Sequence, residues 1–243
     1  RKWSAVEFKD QGTFFFGAPD ILFGAANKDA QERAQHEAET GRRVLALCKS
    51  TEPLSQGLQH DIEPICLILL DDTVREDAPE ILKFFADQGV ELKVISGDNT
   101  ATVATVAARA GVPNSEKNVD ARTLDNDDKL SSAIKEATVF GRVTPHQKRS
   151  MVASLQQEGH VVAMTGDGVN DVLALKDADM GIAMGSGSSA SRGVAQLVLL
   201  DNSFSTLPEV LAQGRKVINN IERVANLFVT KAAYALLLTA LIG

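Results

Sequence analysis

Thr165-Gly166-Asp167-Gly168-Val169-Asn170-Asp171 is the stretch on which the reading of this chain turns. It follows an apolar run, His160 to Met164, that predicts a buried strand, and it precedes a helical pattern, Val172 to Lys176. Two carboxylates, Asp167 and Asp171, therefore fall where a parallel strand ends and a helix begins. Open α/β sheets place their ligands at that edge. Gly166 and Gly168 let the backbone turn tightly there. Two hard oxygen ligands beside a phosphate-sized space are what Mg²⁺ asks for. The plainer alternative is an acidic turn in which Asp171 caps the helix.

Working outward, the flanking sequence alternates strands and helices with short links. Ala78 to Gln88 is helical and Gly89 stops it; Val90 to Ile95 predicts a strand, followed by Ser96-Gly97-Asp98-Asn99. Thr100 to Ala110 is a helix with Val103, Val106, Ala107 and Ala110 on one face. After an acidic loop, Asp120 to Asp128, come a helix over Lys129 to Glu136 and a strand over Thr138 to Val143. Thr144 to Gln157 is a helix with Thr144 as N-cap and Pro145 at its first position. Asp179 to Met184 and Leu197 to Leu200 predict further strands around Ser186 to Val194. Gly185-Ser186-Gly187-Ser188-Ser189 lacks both the Walker spacing and the dinucleotide fingerprint, and reads as a turn. This alternation predicts an α/β fold with a doubly wound parallel sheet.

The front third differs. Arg1 to Phe8 and Thr13 to Phe16 predict a hairpin turned at Gly12. Gly17-Ala18-Pro19-Asp20 opens a short helix, Lys28 to Glu39 is a polar helix ended by Gly41, and Arg43 to Cys48 and Pro64 to Leu70 are strands. Strands dominate here without strict alternation, which suggests a partial strand-rich domain ahead of the α/β one. Boundaries follow at 1-70, 71-222 and 223-243.

Composition narrows the classes. A chain of 243 residues with 44% hydrophobic content can bury a sizeable core. A net charge of −7 argues against a general nucleic-acid binder. Cys48 and Cys66 lie in apolar segments and read as reduced core residues of a cytosolic protein. The four histidines show no metal spacing. With no signal peptide and no initiating Met, the chain reads as a piece excised from a longer one. Leu227 to Ile242 is nearly all apolar, broken by Lys231 and preceded by Arg215, Lys216 and Arg223, as a cytoplasmic flank would be. It falls short of the ~20 residues that span a bilayer, and a buried soluble helix is the alternative.

Three groups carry chemistry in chain order. Ser96, with Gly97 and Asp98, sits between a strand end and a helix start, where a hydroxyl and free N–H groups hold phosphate oxygens. Lys148 lies one turn into a helix that starts at the same edge, where it would neutralise charge developing on a phosphoryl group. Asp167 follows. Asp71-Asp72, after the apolar Cys66 to Leu70, imitates a nucleophile motif, but its carboxylates are adjacent rather than spaced Asp-x-Asp. Asp125/Asp127 and Asp177/Asp179 have the spacing but follow no apolar strand, and read as loop acids.

Ser96, Lys148 and Asp167 together resemble the later part of the haloacid-dehalogenase phosphotransferase signature. Within it, the chain is similar to the P-type ATPases, ion pumps that phosphorylate themselves, nearly throughout and in order. Lys2-Trp3-Ser4 resembles a strand of their nucleotide-binding domain, and Gly17-Ala18-Pro19-Asp20 resembles K-G-A-P-E of the adenine pocket. Phe16 stands where that motif has its lysine; its ring still suits stacking on adenine, without the charge. Arg43-Val44-Leu45-Ala46 resembles R-V-L-A, whose Arg reaches the nucleotide phosphates, and Asp72-Thr73-Val74-Arg75 resembles the D-P-x-R hinge. Ser96-Gly97-Asp98 matches [TS]-G-D, Arg142 to Lys148 resembles R-x-x-P-x-Q-K, and Thr165 to Asp171 matches T-G-D-G-V-N-D throughout. From Gly214-Arg215 onward the chain resembles the stalk leading into the fifth transmembrane helix. The bacterial calcium-pump-like subgroup is nearest.

The resemblance implies ATP-driven cation transport through an aspartyl phosphate, with Mg²⁺ held by Asp167 and Asp171, phosphoryl oxygens by Ser96 and Asn170, and charge offset by Lys148. Lys2, Gly17, Arg43, Asp72, Gly97, Asp98, Arg142 and Lys148 would form the ATP site. It implies as partners the actuator and transmembrane domains of the same pump, and a cell-membrane location with this portion facing the cytoplasm. The D-K-T-G-T-L-T stretch with the phosphorylated aspartate would lie upstream of Arg1, so the chain alone is expected not to turn over. Two alternatives stand beside this reading: a soluble phosphatase using Asp71 or Asp72, and a non-catalytic nucleotide-binding module.

Overall fold

The structure, a computed structural model, describes residues 3–23, 27–54, 62–71 and 73–242. Within the first 70 residues, the described strands build one antiparallel sheet in chain order. Strands β1 (Trp3–Phe8), β2 (Gly12–Gly17), β3 (Arg43–Ser50) and β4 (Glu63–Leu70) lie side by side as β1-β2-β3-β4. Helices α1 (Pro19–Leu22) and α2 (Lys28–Glu39) connect β2 to β3. Alternation along β2 sends Thr13, Phe15 and Gly17 inward, and Phe15, Leu22, Phe23, Ala34, Ala46, Cys48 and Ile62 form the core beneath the sheet. Burial pushes the Cys48 thiol up to about 11, with Cys66 adding to it. Cys66 itself is exposed, so the expectation of two core cysteines holds for Cys48 alone. The reason is position: β4 is the edge strand, and Ile65, Leu69 and Leu70 on it are exposed as well.

The remainder alternates as expected, and the α/β class with parallel strands is borne out. Helix α3 (Ala78–Asp87) leads to β5 (Val94–Ile95), α4 (Thr100–Arg109), β6 (Asn118–Asp120), α5 (Asp127–Glu136), β7 (Val139–Gly141), α6 (Pro145–Gln157), β8 (Ala163–Gly166), α7 (Val172–Asp177), β9 (Met180–Met184), α8 (Ser189–Val194), β10 (Leu197–Leu199) and α9 (Leu207–Ile242). The parallel strands fall into two groups, β5-β7-β6 and β10-β9-β8. Among the described residues, no strand pairs with the second edge of β5 or of β8. Helices cover both faces: Val139 packs with Val103 and Ala107 of α4, while its neighbour Phe140 packs with Ile134 of α5 and Met151 of α6. Successive residues of α6 join the two groups, because Met151 belongs to the core of the first and Val152 to the core of the second, with Met164 and Leu175.

Three elements differ from expectation. The strand expected over Val90 to Ile95 shrinks to its last two residues, since Glu91 and Lys93 alternate into polar company; Lys93 donates to the Ala137 carbonyl at 2.9 Å. Asp120, expected to open the acidic loop, ends a strand, Asn118–Asp120. Ser189, expected to end the turn from Gly185, instead opens a short helix, Ser189–Val194, capped by Ser188. Helix α9 runs unbroken for 36 residues with none buried, and it is long and apolar enough to cross a membrane by length and composition.

Candidate active site

The T-G-D-G-V-N-D loop leaves β8 and enters α7 through a 3₁₀ turn, Val169–Asp171. Its two aspartates have opposite environments. Asp171 is 7% exposed. Its Oδ1 accepts from Lys148 Nζ at 2.6 Å, and its Oδ2 accepts from the Gly168 N–H at 3.3 Å. Asp171 occupies the cap position of α7 but makes no side-chain cap bond, so its carboxylate serves Lys148 and Gly168 instead. Asp167 is exposed, and among the described residues no side chain or N–H pairs with its carboxylate. Asn170 is exposed beside it. Gly166 makes this packing possible: a Cβ there would fall 2.6 Å from Asp171 Cβ.

Lys148 reaches the loop because α6 starts where it does. Thr144 accepts from the Gln147 N–H and Gln147 Oε1 accepts from the Thr144 N–H, a reciprocal cap, with Pro145 in the first turn. The Gln147 amide also donates to the Ala121 carbonyl at 2.8 Å, which pins the helix start to the end of β6. One turn on, Lys148 is buried against Asp171, its side chain 12% exposed.

Ser96 stands on the other side of that helix start. Its carbonyl accepts from the Val143 N–H at 2.9 Å, one residue before the cap, and its hydroxyl accepts from the Asp98 N–H at 3.1 Å. Asn99, rather than Ser96, caps α4. Two of these contacts meet at the start of α6: Lys148 touches Asp171, and the Ser96 main chain pairs with Val143. Gly97 lies exposed in the same turn.

Of the expected nucleotide residues, Arg43, Asp98 and Arg142 meet at the junction with the antiparallel sheet. Arg43 Nη2 lies 3.7 Å from Asp98 Oδ1, and the Asp98 carbonyl accepts from the Arg142 N–H at 2.8 Å. Arg142 is 8% exposed and has φ +58, a left-handed conformation that costs a non-glycine residue about 1–2 kcal/mol. Its Nη2 lies 3.0 Å from Asp20 Oδ1, close enough to pair but off-angle for a hydrogen bond, and its Nε has no hydrogen-bond partner among the described residues. Asp20 also lies 3.3 Å from Arg122, which in turn holds Asp120 at 2.7 Å; that hydrogen bond keeps the Asp120 carboxyl below its ordinary value. Gly17 is buried in β2, paired across to Trp3 and Ala46. Lys2 and Asp72 lie outside the described residues. Asp71 pairs with Arg109, in the last turn of α4, at 3.6 Å. The Asp125 carboxylate pairs with Lys129, and Asp177 with Arg149, as loop and helix-end acids do.

A profile of haloacid dehalogenase-like hydrolases matches residues 8–179. The chain belongs to that family. Over 100% of its length, this haloacid dehalogenase-like chain is 51% identical to the calcium-transporting ATPase CtpE of Mycolicibacterium smegmatis, covering 30% of that protein. It is 42% identical over 99% of its length to the probable cation-transporting ATPase exp7 of Streptococcus pneumoniae, covering 31% of it. It is 33% identical over 90% of its length to calcium-transporting ATPase 1 of Saccharomyces cerevisiae, covering 24%. The resemblance to P-type ATPases is thereby borne out, and the chain spans about a third or less of the relatives it matches.

The residues present fit Mg²⁺. Among the described residues no three carboxylate, imidazole or thiol groups cluster as a complete metal cage. Mg²⁺ does not need one, since it binds through one or two carboxylates with water and substrate phosphates supplying the rest. Asp167 offers an open carboxylate of that kind, while the Asp171 carboxylate is already paired with Lys148.

Proposed function

We propose that the chain is the ATP-handling cytosolic part of a cation-transporting P-type ATPase, with Ca²⁺ as the ion the named relatives favour. Residues 1-70 are then the later part of its nucleotide-binding domain, 71-222 its phosphorylation domain, and 223-243 the stalk and the start of a membrane helix. The observation that carries the reading is the contrast within one loop: Asp171 is locked by Lys148 at 2.6 Å while Asp167, four residues earlier, is left open.

Bound Mg²⁺ would supply charge neutralisation between nucleotide and protein, and Asp167 is the residue to hold it, with Asp171 acting directly or through water. Ser96 keeps its hydroxyl hydrogen for a phosphoryl oxygen, since among the described residues its Oγ is only an acceptor. Asn170 offers a second donor from the loop. Lys148 places positive charge at the same helix start, so the site works by positioning and electrostatics, as phosphoryl transfer requires. At the junction, the Nε of the buried Arg142, without a hydrogen-bond partner among the described residues, supports a role in holding ATP, alongside Arg43, Asp98 and Gly97, with Gly17 setting the sheet beneath and Lys2 and Asp72 completing the set. The free edges of β5 and β8 support a further strand between them, bearing the aspartate that is phosphorylated. A soluble phosphatase using Asp71 is less well supported, because Asp71 is engaged by Arg109 rather than by Lys148.

The test is Asp167→Ala in the full-length protein. Acid-stable phosphoenzyme from ATP is expected to vanish; wild-type levels would refute the assignment of Asp167.

A further inference from the structure

The serine-rich segment after β9, which runs into α8, has no part in the function described so far, yet it is the segment that grips the acidic loop. Ser191 is completely buried. Its Oγ lies 2.7 Å from the Gly168 carbonyl, 3.4 Å from the Asp167 carbonyl and 2.7 Å from Ser188 Oγ. The Ser191 N–H donates to Ser188 Oγ at 3.0 Å.

Each hydroxyl has one hydrogen, which settles the directions. A carbonyl only accepts, so the Ser191 hydrogen goes to Gly168. The Ser188 hydroxyl then donates to Ser191 Oγ while accepting from the Ser191 N–H. A directed relay results, and it ends on the backbone of the acidic loop.

The main chain adds to it. The Ser188 N–H donates to the Asp167 carbonyl at 2.8 Å. On the other side of the same peptide, the Gly168 N–H is held by Asp171 Oδ2. A Cβ at Gly187 would sit 2.9 Å from the Asp167 carbonyl oxygen, so glycine is what lets the serine loop come this close. The peptide joining Asp167 to Gly168 is therefore held at its carbonyl, at its N–H and at the next carbonyl. Among the described residues nothing pairs with the Asp167 side chain, so these three bonds are what aim it.

We propose that Ser191, supported by Ser188, is a positioning residue that fixes the backbone of Asp167 and so presents its carboxylate to Mg²⁺. The inference rests on the reading of Asp167 given above. Groups that orient a metal ligand without touching the metal typically change affinity by about 10–100-fold when removed.

The test uses the full-length protein with Mn²⁺ standing in for Mg²⁺, read by electron paramagnetic resonance, together with hydrogen exchange of the peptide covering 165–172. Asp167→Asn serves as reference. Ser191→Ala is expected to weaken Mn²⁺ binding by about tenfold and to speed exchange at 165–172, with nucleotide binding in the absence of metal unchanged. Wild-type Mn²⁺ binding in Ser191→Ala, when Asp167→Asn is impaired, overturns the role of Ser191 alone. Wild-type Mn²⁺ binding in Asp167→Asn overturns the reading of Asp167 beneath it. If Ser191→Ala does not fold, Ser188→Ala severs the relay one step back and leaves the Ser191 hydroxyl on Gly168. It is then expected to weaken Mn²⁺ binding less than the reference does, and binding equal to wild type counts against the relay.

Discussion

The acidic loop and the junction with the antiparallel sheet both carry residues expected to meet ATP and Mg²⁺, yet they are held by different forces. The loop is fastened by buried contacts: the Lys148–Asp171 pair, the Gly168 N–H on Asp171, and the serine hydroxyls behind. The junction is fastened by two ion pairs that solvent reaches, Arg43 with Asp98 and Arg122 with Asp20, by the pair of Asp20 with the buried Arg142, and by threonine hydroxyls of α4 on the end of α2. Thr102 donates to the Arg42 carbonyl at 3.0 Å, and Thr105 to the Glu39 carbonyl at 3.0 Å. Exposed pairs contribute ~0–1 kcal/mol each, whereas an unpaired buried charge costs ~3–5 kcal/mol. The loop is therefore the more firmly held of the two, and the junction the easier to loosen.

Lys148→Met tests the strong side. It leaves Asp171 buried and uncompensated, and should lower the unfolding free energy by ~3–5 kcal/mol in denaturant titration; a loss under ~1 kcal/mol would place the loop on the same footing as the junction. Gly166→Ala comes next. The added methyl meets Asp171 at 2.6 Å, and overpacking of that kind costs ~1–3 kcal/mol. Asp20→Asn should fall at or below this range. It withdraws the ion-pair partner of the buried Arg142, and proteolysis near Gly41 should quicken as the junction loosens.

Arg43→Ala should cost less than ~1 kcal/mol, and the difference from wild type should shrink in ~1 M salt, where the Debye length is ~3 Å. A cost that persists in salt would show a junction built more like the loop. The smallest effect is the acid dependence of Asp120. Its folded value lies below the ordinary 3.8 because of the Arg122 hydrogen bond. Its contribution is therefore fully present above pH 3.8 and is lost as pH falls through the lower folded value. Asp120→Asn should flatten that part of an acid-unfolding curve, and an unchanged curve would remove the pair from the junction's account.

Elements with strong local signals were legible in the residues alone. Thr144 and Pro145 mark the start of α6, and the structure adds only that Gln147 closes the cap and reaches Ala121. The loop from Thr165 to Asp171 was legible as a carboxylate-bearing strand end. Its division into one open and one locked aspartate was not, since that depends on Lys148, 23 residues away. Strand β6 carries a single apolar residue, Val119, and so offers no alternation to read. Helix α8 is built of serine, alanine, arginine, glycine and valine, too small and mixed for a period to emerge, which hid Ser191. Asp20 and Arg122 were invisible as partners for another reason: they are 102 positions apart, and only the packing of the two sheets brings them together.

Helix α9 bears on how such a site does work at a distance. Its 36 residues make a rod about 54 Å long, and from Arg215 to Ile242 it contains neither glycine nor proline to act as a hinge. Its near end is tethered, with Arg215 donating to Gln88 at the close of α3 at 2.7 Å. A stiff shaft anchored at one end carries a tilt undiminished, so a few degrees of rotation beside α3 become a sweep of several ångströms at the far tip.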